Sequence, residues 1–221
     1  ITQHLFGVEY EEIKDPSVWH KDVRLFNVMQ DGKIISRFYI DLHPRPNKYS
    51  HAACFPMIGS KETKNGPQLP TATLVCNFPA ATADMPSLLP HGDVETFFHE
   101  FGHVLHSVLT KTKLSSQSGT SVSRDFVEAP SQIFENWTWN YESLKLFANH
   151  YKTGEVLPKE LFDKMLAAKN VGSGLAYTQQ VYYGILDFTL HDKYDPTSSE
   201  PIVEVMKGLQ NKITLYPYLE G

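Results

Sequence analysis

The sequence is poor in cysteine, lacks any long hydrophobic run and has only a small net charge. Cys54 and Cys76 are its two cysteines, too few for the disulfide framework of a small secreted domain. We therefore expect free, buried thiols in a reducing compartment such as the cytoplasm, with an organelle such as the mitochondrion as the alternative. No apolar run is long enough to span a bilayer. The net charge of −5 indicates neither a nucleic-acid nor a membrane partner.

Length and composition are those of a globular protein. With 221 residues, of which 41% are hydrophobic and 20% charged, the chain can form one large domain or two small ones. It begins at Ile1 rather than at Met and has no basic or apolar leader. We expect it to be a piece of a longer protein, and nothing in the sequence indicates an oligomeric state.

The most informative stretch is 91–109, which contains the letters HEFGH from His99 to His103. This is the H-E-x-x-H pattern of zinc metallopeptidases. Because an α-helix advances about 100° per residue, the two histidines can point at one zinc ion and supply two of its ligands. Glu100 then lies beside the metal, which suits a general base that takes the proton of a zinc-bound water. From the motif alone, the alternative interpretation is that the two histidines are hydrogen-bonded core residues.

The neighbouring residues predict that this stretch is a buried helix. Asp93 is the expected N-cap, and apolar residues cover most of the helix circumference. Gly102 costs about 1 kcal/mol relative to alanine inside a helix, so we expect another backbone to approach it closely. The metzincin pattern would place glycine at 106 and histidine at 109. His106 is therefore expected to be a packed residue rather than a ligand.

A third ligand is expected from a carboxylate on a second helix, because a catalytic zinc has three protein ligands and one open position. Glu128 meets this requirement, since it is surrounded in the sequence by apolar residues and a carboxylate in such surroundings needs a partner. A salt bridge to Arg124, or an exposed glutamate at a helix start, is the alternative.

Strand patterns precede the motif helix and helical patterns follow it. Asp31-Gly32 is a hairpin signal, and the stretch 59–70 is expected to be a loop. We predict an α+β, predominantly helical fold, with a small antiparallel β region over 23–78 and a helical region over 93–215. The free edge of the strand at 71–77 is expected to pair with an extended peptide, an interior strand being the alternative. The expected strands are 24–29, 34–42 and 71–78, and the later helices are 126–147, 161–169, 175–193 and 202–209.

Four segments form a recognisable pattern: FYIDL at 38–42 with Arg45 and Lys48, HAAC at 51–54, FFHEFGHVLH at 97–106 and RDFVEAPSQIFENW at 124–137. This pattern closely resembles the thimet oligopeptidase family of zinc metallopeptidases, which includes neurolysin, oligopeptidase A and dipeptidyl carboxypeptidase. The resemblance covers nearly the whole chain. It implies a zincin-like catalytic domain, present in part over 1–221, with short peptides as substrates.

The resemblance also implies the residues of the site. His99, His103 and Glu128 would hold one Zn²⁺ per chain, and Glu100 would be the catalytic base. In zinc peptidases with a glutamate ligand, a polar residue four positions later often holds a ligand histidine, which makes Gln132 the expected partner of His99 or His103.

The family also has a large helical part before this segment and a glycine-rich substrate loop after it, and neither is in the sequence. We therefore expect the chain to keep its zinc ligands but to cleave peptides weakly or not at all. The alternatives are another glutamate-ligand zinc exopeptidase and a catalytically inactive, zinc-stabilised peptide-binding module.

Overall fold

The computed structural model describes residues 1–219. The chain divides into two compact units, Ile1–Lys159 and Glu160–Gly221. The first unit begins with a short helix, α1 (Thr2–Phe6), which ends at Gly7 in the left-handed conformation. Its described strands are β1 (Glu9–Glu12), β2 (Arg24–Gln30), β3 (Lys33–Asp41), β4 (Ala53–Ile58), β5 (Lys61–Thr63), β6 (Gly66–Gln68) and β7 (Thr71–Val75).

Five of these strands form one mixed sheet in the order β1-β2-β3-β7-β4, and β5 and β6 form a separate hairpin. The α+β class and the three predicted strands are confirmed. The sheet is not wholly antiparallel as predicted, because β3 and β7 run parallel. The chain between β3 and β7 is long enough for a crossover connection. It contains β4, β5 and β6, which the sequence pattern did not predict. β1 was missed as well, and it is acidic and mostly exposed.

The strand at 71–77 has no free edge, contrary to the prediction that it would pair with a peptide. β7 lies between β3 and β4, and all five of its residues are buried. The outer neighbour is β4, which pairs only with β7 among the described strands. β4 has Pro56 and a register shift between Pro56 and Ile58, features that occur at sheet edges because proline cannot donate into a ladder.

A buried ion-pair cluster closes the loop after β3. Arg45 donates two hydrogen bonds of 2.7 Å to the carboxylate of Asp41, and the Lys48 ammonium lies 2.9 Å from the same carboxylate. Lys48 also donates to the backbone carbonyls of Asp41, His43 and Cys76. The contacts of Asp41, Arg45 and Lys48 therefore fix this loop against the end of β7.

The motif helix α2 (His91–Val108) lies against the sheet. Val104 and Val108 are buried with Leu74, Ala72 and other core residues. This burial is confined to the later part of α2, where the buried residues begin at Glu100.

Asp93 is not the N-cap that the sequence indicated. Pro90 is the N-cap, and Asp93 already donates its backbone N–H to the carbonyl of Pro90. Proline is tolerated at a helix start because its missing N–H would have no partner there, and the helix begins three residues earlier than the polar side chain indicated.

The predicted single helix at 126–147 is broken into short pieces. A 3₁₀ turn, Ser115–Gln117, precedes them. Pro130 lies at the start of α4, where a missing N–H is tolerated. Asn140 is extended, and its side chain accepts a hydrogen bond of 3.0 Å from the Ser143 N–H, which starts a new helix. The pieces are α3 (Arg124–Val127), α4 (Ala129–Glu135), the 3₁₀ turn Asn136–Trp139 and α5 (Tyr141–Leu144).

The second unit is helical, as the sequence predicts. α6 (Lys159–Ala168) begins at the boundary between the units, and α7 (Ser173–Phe188) continues into a π-helical turn, Thr189–Lys193. α8 (Ile202–Ile213) ends four residues later than predicted. None of the helices in the described chain is long and apolar enough to cross a membrane.

Candidate metal centre

Three side chains from two elements converge on one point. His99 and His103 lie one turn apart on α2, and Glu128 lies at the junction of α3 and α4. Oε2 of Glu128 is 3.2 Å from Nε2 of His99 and 3.0 Å from Nε2 of His103. One ligand atom from each of the three residues lies within 4.8 Å of the others, so the group can hold a metal ion.

The close approach of α4 to α2 brings Glu128 to the histidines. A Cβ built on Gly102 would lie 2.7 Å from Cα of Ser131 and 3.0 Å from the carbonyl oxygen of Pro130. The predicted backbone approach at Gly102 is therefore confirmed, and only glycine allows it. Ser131 is fully buried and donates its hydroxyl to Oε2 of Glu128 at 2.8 Å, which fixes the carboxylate.

The electrostatics of Glu128 favour its charged form. Partial burial acts to raise the pKa of Glu128, but the hydrogen bond from Ser131 and the two neighbouring histidines act more strongly and lower it. Burial lowers the pKa of His103, with Glu128 acting in the opposite direction. A carboxylate and neutral imidazoles are the protonation states in which these side chains bind a metal.

The donor set fits zinc. Two imidazole nitrogens and one carboxylate oxygen are a known ligand set of catalytic zinc sites, with ligand distances of about 2.0–2.2 Å. In a tetrahedral site such ligands lie roughly 3.3–3.5 Å apart. The nitrogen-to-oxygen distances of 3.0 and 3.2 Å need only a small expansion to reach this spacing.

The second nitrogen of each histidine has a different environment. Nδ1 of His99 lies 2.6 Å from Oε1 of Glu135, the last residue of α4. Nδ1 of His103 is buried and has no hydrogen-bond partner among the described residues.

The expected contact of Gln132 with either histidine does not occur in the described part of the chain. Gln132 is exposed, and the partner of His99 is Glu135, nearly one turn further along α4. Sequence reasoning missed Glu135, although residues seven apart on a helix share a face and Glu135 is seven residues after Glu128.

Glu100 is buried beside the group, with 9% of its surface exposed. Burial raises the pKa of its carboxyl group, and the charge of Glu128 acts in the same direction. His99 and a hydrogen bond from the backbone N–H of Cys54, on β4, act in the opposite direction. Glu100 is thus a carboxyl group with a raised pKa next to a candidate metal site, which is the property of a general base or acid.

His106 lies outside the converging group, as the sequence indicates. Its ring contacts that of Phe126 at a centroid distance of 6.3 Å. Burial lowers the pKa of His106.

This geometry is that of the H-E-x-x-H metallopeptidases: two histidines on one helix, a glutamate between them in the motif, and a carboxylate at the start of a later helix as the third member of the group. The chain belongs to peptidase family M3, whose profile matches residues 1–220. The resemblance that the sequence motifs indicated is therefore confirmed.

Several curated proteins are similar to this chain over nearly its full length. The thimet-like oligopeptidase of Dictyostelium discoideum is 40% identical over 225 residues, which cover 99% of this chain and 33% of that protein. Oligopeptidase A of Escherichia coli is 40% identical over 220 residues, covering 98% of this chain and 32% of the relative. Saccharolysin of Saccharomyces cerevisiae is 42% identical over 201 residues, covering 86% and 28%. The chain thus spans about a third of the length of these relatives.

Proposed function

We propose that the protein containing this chain is a zinc-dependent oligopeptidase that hydrolyses peptide bonds in short peptides. The observation that carries this proposal is the convergence of His99, His103 and Glu128 on one point, with Glu100 buried beside them. Membership of peptidase family M3 and the similarity to proteins named oligopeptidase support the peptidase activity and the class of substrate.

His99, His103 and Glu128 would hold one zinc ion per chain. When bound, zinc supplies Lewis acidity, which polarises a carbonyl group and lowers the pKa of a water molecule. The protein's own contribution is to favour a neutral imidazole at His103 and a charged carboxylate at Glu128, as the directions of their pKa shifts indicate.

Glu100 would act as the catalytic base. It accepts the proton of the attacking water and then passes this proton to the leaving amine. The burial that raises its pKa makes the carboxylate a better acceptor for the proton of the water.

The extended peptide would bind along β4 rather than along the strand at 71–77. β4 is the edge strand next to β7, and Cys54 on β4 contacts Glu100. A peptide that adds to the free edge of β4 by backbone hydrogen bonds would therefore pass close to the catalytic base.

The chain would be a part of the catalytic domain, with the β region over 23–78 and the helical region over 93–215 both contributing to the site. We propose that this third of the protein hydrolyses peptides weakly or not at all by itself. Cys54 and Cys76 are both free, which supports a reducing compartment such as the cytoplasm.

The test is cleavage of a quenched fluorescent peptide by the intact protein, together with zinc stoichiometry. A chelator should block cleavage and added zinc should restore it. Glu100→Gln should keep the zinc and lose at least about 10²-fold in kcat, whereas His103→Ala should lose the zinc.

Two results would contradict the proposal. Turnover by Glu100→Gln at the wild-type rate would exclude Glu100 as the base. A wild-type protein that binds zinc but cleaves no peptide would favour the inactive peptide-binding module.

A further inference from the structure

The ring of His99 contacts two carboxylates, one from the N-cap residue of α4 and one from its last residue. Its Nε2 lies 3.2 Å from Oε2 of Glu128, and its Nδ1 lies 2.6 Å from Oε1 of Glu135. A neutral imidazole has one N–H and one lone pair. An acceptor at Nδ1 keeps the proton on that nitrogen, so that the lone pair of Nε2 points to the place where Glu128 and His103 converge.

We propose that Glu135 is a positioning residue of the metal centre. It holds His99 as the Nδ1–H tautomer and fixes the plane of the imidazole ring. The proposal rests on the proposed function, because it assumes that His99 is a metal ligand. Glu135 itself does not belong to the converging group of three.

The end of α4 is built to hold Glu135 in place. The hydroxyl of Thr138 donates to the Glu135 carbonyl at 2.7 Å, which closes the 3₁₀ turn after α4. Nε2 of His91 lies 2.9 Å from the Thr138 carbonyl oxygen. The ring centroids of Trp139 and His91 lie 4.3 Å apart. Nε1 of Trp139 donates a hydrogen bond of 2.5 Å to Oε1 of Glu95.

These contacts follow one stripe of α2. His91, Glu95 and His99 are four residues apart and lie on one face of the helix. All three contact the stretch 135–139, and Gly102 and His103 contact Ser131 and Glu128 further along the same face. The two helices therefore run past each other in opposite directions, and the Glu135–His99 contact is one step in a continuous interface.

The two ligand histidines differ in this support. His103 has no partner for Nδ1 among the described residues, and its ring is held mainly by burial, with a side-chain exposure of 10%. The His99 side chain is 24% exposed, so packing restrains it less. We infer that the hydrogen bond to Glu135 compensates for the weaker packing of His99.

The expected size of the effect follows from similar contacts in metal sites, where loss of the partner weakens metal affinity by about 10–100-fold. The Glu135 side chain is 33% exposed, so solvent screens its charge. We therefore expect the lower end of this range, about tenfold, for Glu135→Gln, which can still accept a hydrogen bond. Glu135→Ala removes both acceptor and charge, and should lose more.

The experiment measures metal affinity in the intact protein by competition with a chromophoric chelator, with Zn²⁺ and with Co²⁺ as the probe metals. The variants are Glu135→Gln, Glu135→Ala and Glu135→Asp, and the matched control is Gln132→Ala, an exposed position on the same helix. The absorption spectrum of the Co²⁺ form reports ligand geometry independently of activity. Thermal melting of the metal-free forms checks that each variant folds.

The proposal predicts weaker affinity and a changed Co²⁺ spectrum for Glu135→Ala, a smaller loss for Glu135→Gln, partial recovery for Glu135→Asp and no change for Gln132→Ala. If all the Glu135 variants bind metal like the wild type, with unchanged spectra, while His99→Ala loses the metal, Glu135 has no positioning role although the metal centre stands. If the wild type binds neither metal, the metal centre fails and this proposal fails with it.

Discussion

The two units of the chain use their apolar residues in different ways. In the first unit, Leu74, Val28 and Val104 are completely buried between the sheet and α2. In the second unit, Phe162 and Tyr182 are the buried apolar residues among those described. Tyr177, Phe188 and Leu215 there are 72%, 75% and 78% exposed. The described part of the second unit thus buries few apolar side chains within this chain.

This difference teaches where the site obtains its rigidity. The two histidines of the candidate metal site lie on the helix that packs against the sheet, and Glu128 precedes a helix whose backbone contacts Gly102. A site held to a fraction of an ångström needs such support. Matched substitutions in the two units test the comparison, because the same chemical change should have a large effect in the first unit and a small one in the second.

Substitutions that break an ion pair are expected to give the largest difference in stability loss between the two units. Arg45–Asp41 and Lys164–Glu160 are both 2.7 Å long, but the Asp41 side chain is 3% exposed and that of Glu160 81%. Asp41→Asn leaves the buried Lys48 without its anion, which should lower the free energy of unfolding by about 3–5 kcal/mol. Glu160→Gln should change it by less than about 1 kcal/mol. Hydrogen exchange resolved by peptide measures each unit separately, and equal effects would contradict the comparison.

The same carboxylate should make the first unit sensitive to acid. Although burial alone would raise the pKa of Asp41, its hydrogen bonds to Arg45, Lys48 and Trp19 hold that pKa well below its usual range. A group with a depressed folded-state pKa stabilises the fold above its unfolded pKa of about 3.9, and this stability is lost as the pH falls further. We expect the wild type to lose stability below about pH 4 more steeply than Asp41→Asn. Parallel pH profiles in urea unfolding would exclude this role.

Buried leucines give the next largest contrast. Leu74 on β7 is completely buried, whereas Leu215 in the second unit is 78% exposed. Leu74→Ala should lower the free energy of unfolding of the first unit by about 2–5 kcal/mol through lost burial and the cavity left behind. Leu215→Ala should change that of the second unit by about 0.5 kcal/mol or less. A comparable loss at both positions in hydrogen exchange would show that Leu215 is packed in the intact protein.

The parts of the site that depend on short spacings could be predicted from the sequence. The four-residue step from His99 to His103 is set by helix geometry. The apolar neighbours of Glu128 suggested apolar surroundings for its carboxylate, but that side chain is 49% exposed, so its position beside the histidines does not follow from burial. Gly102 likewise predicted the close helix approach that the structure contains. Each of these inferences uses only local sequence and the shape of one helix.

The features that the sequence did not predict depend on contacts between distant segments. β4 has no strand signal, since Pro56 interrupts it and most of its residues are exposed, and its pairing with β7 is what removes the free edge of β7. The choice between Gln132 and Glu135 as the partner of His99 depends on how far along α2 the helix α4 extends. The pairing of β4 with β7 and the position of α4 along α2 each depend on two elements, so the sequence of one element does not determine them.

Glycine-to-alanine substitutions in helices should give the smallest difference between the units. The change in the free energy of unfolding should have opposite signs in the two units. At Gly102 a Cβ would meet backbone atoms of Ser131 and Pro130 at 2.7 and 3.0 Å, whereas at Gly184 on α7 it would meet nothing within 4 Å. Gly184→Ala should therefore stabilise the second unit by about 0.5–1 kcal/mol, the usual gain of alanine over glycine in a helix.

Gly102→Ala gains the same helix preference, but it pushes α4 away from α2. The net result should be a loss of about 1–3 kcal/mol in the first unit. Because Glu128 moves with α4, the zinc affinity of the proposed site should fall as well, and chelator competition measures this fall. Zinc affinity unchanged in Gly102→Ala, with stability also retained, would mean that the helix contact is soft. The site would then owe its geometry to the metal rather than to the packing of the first unit.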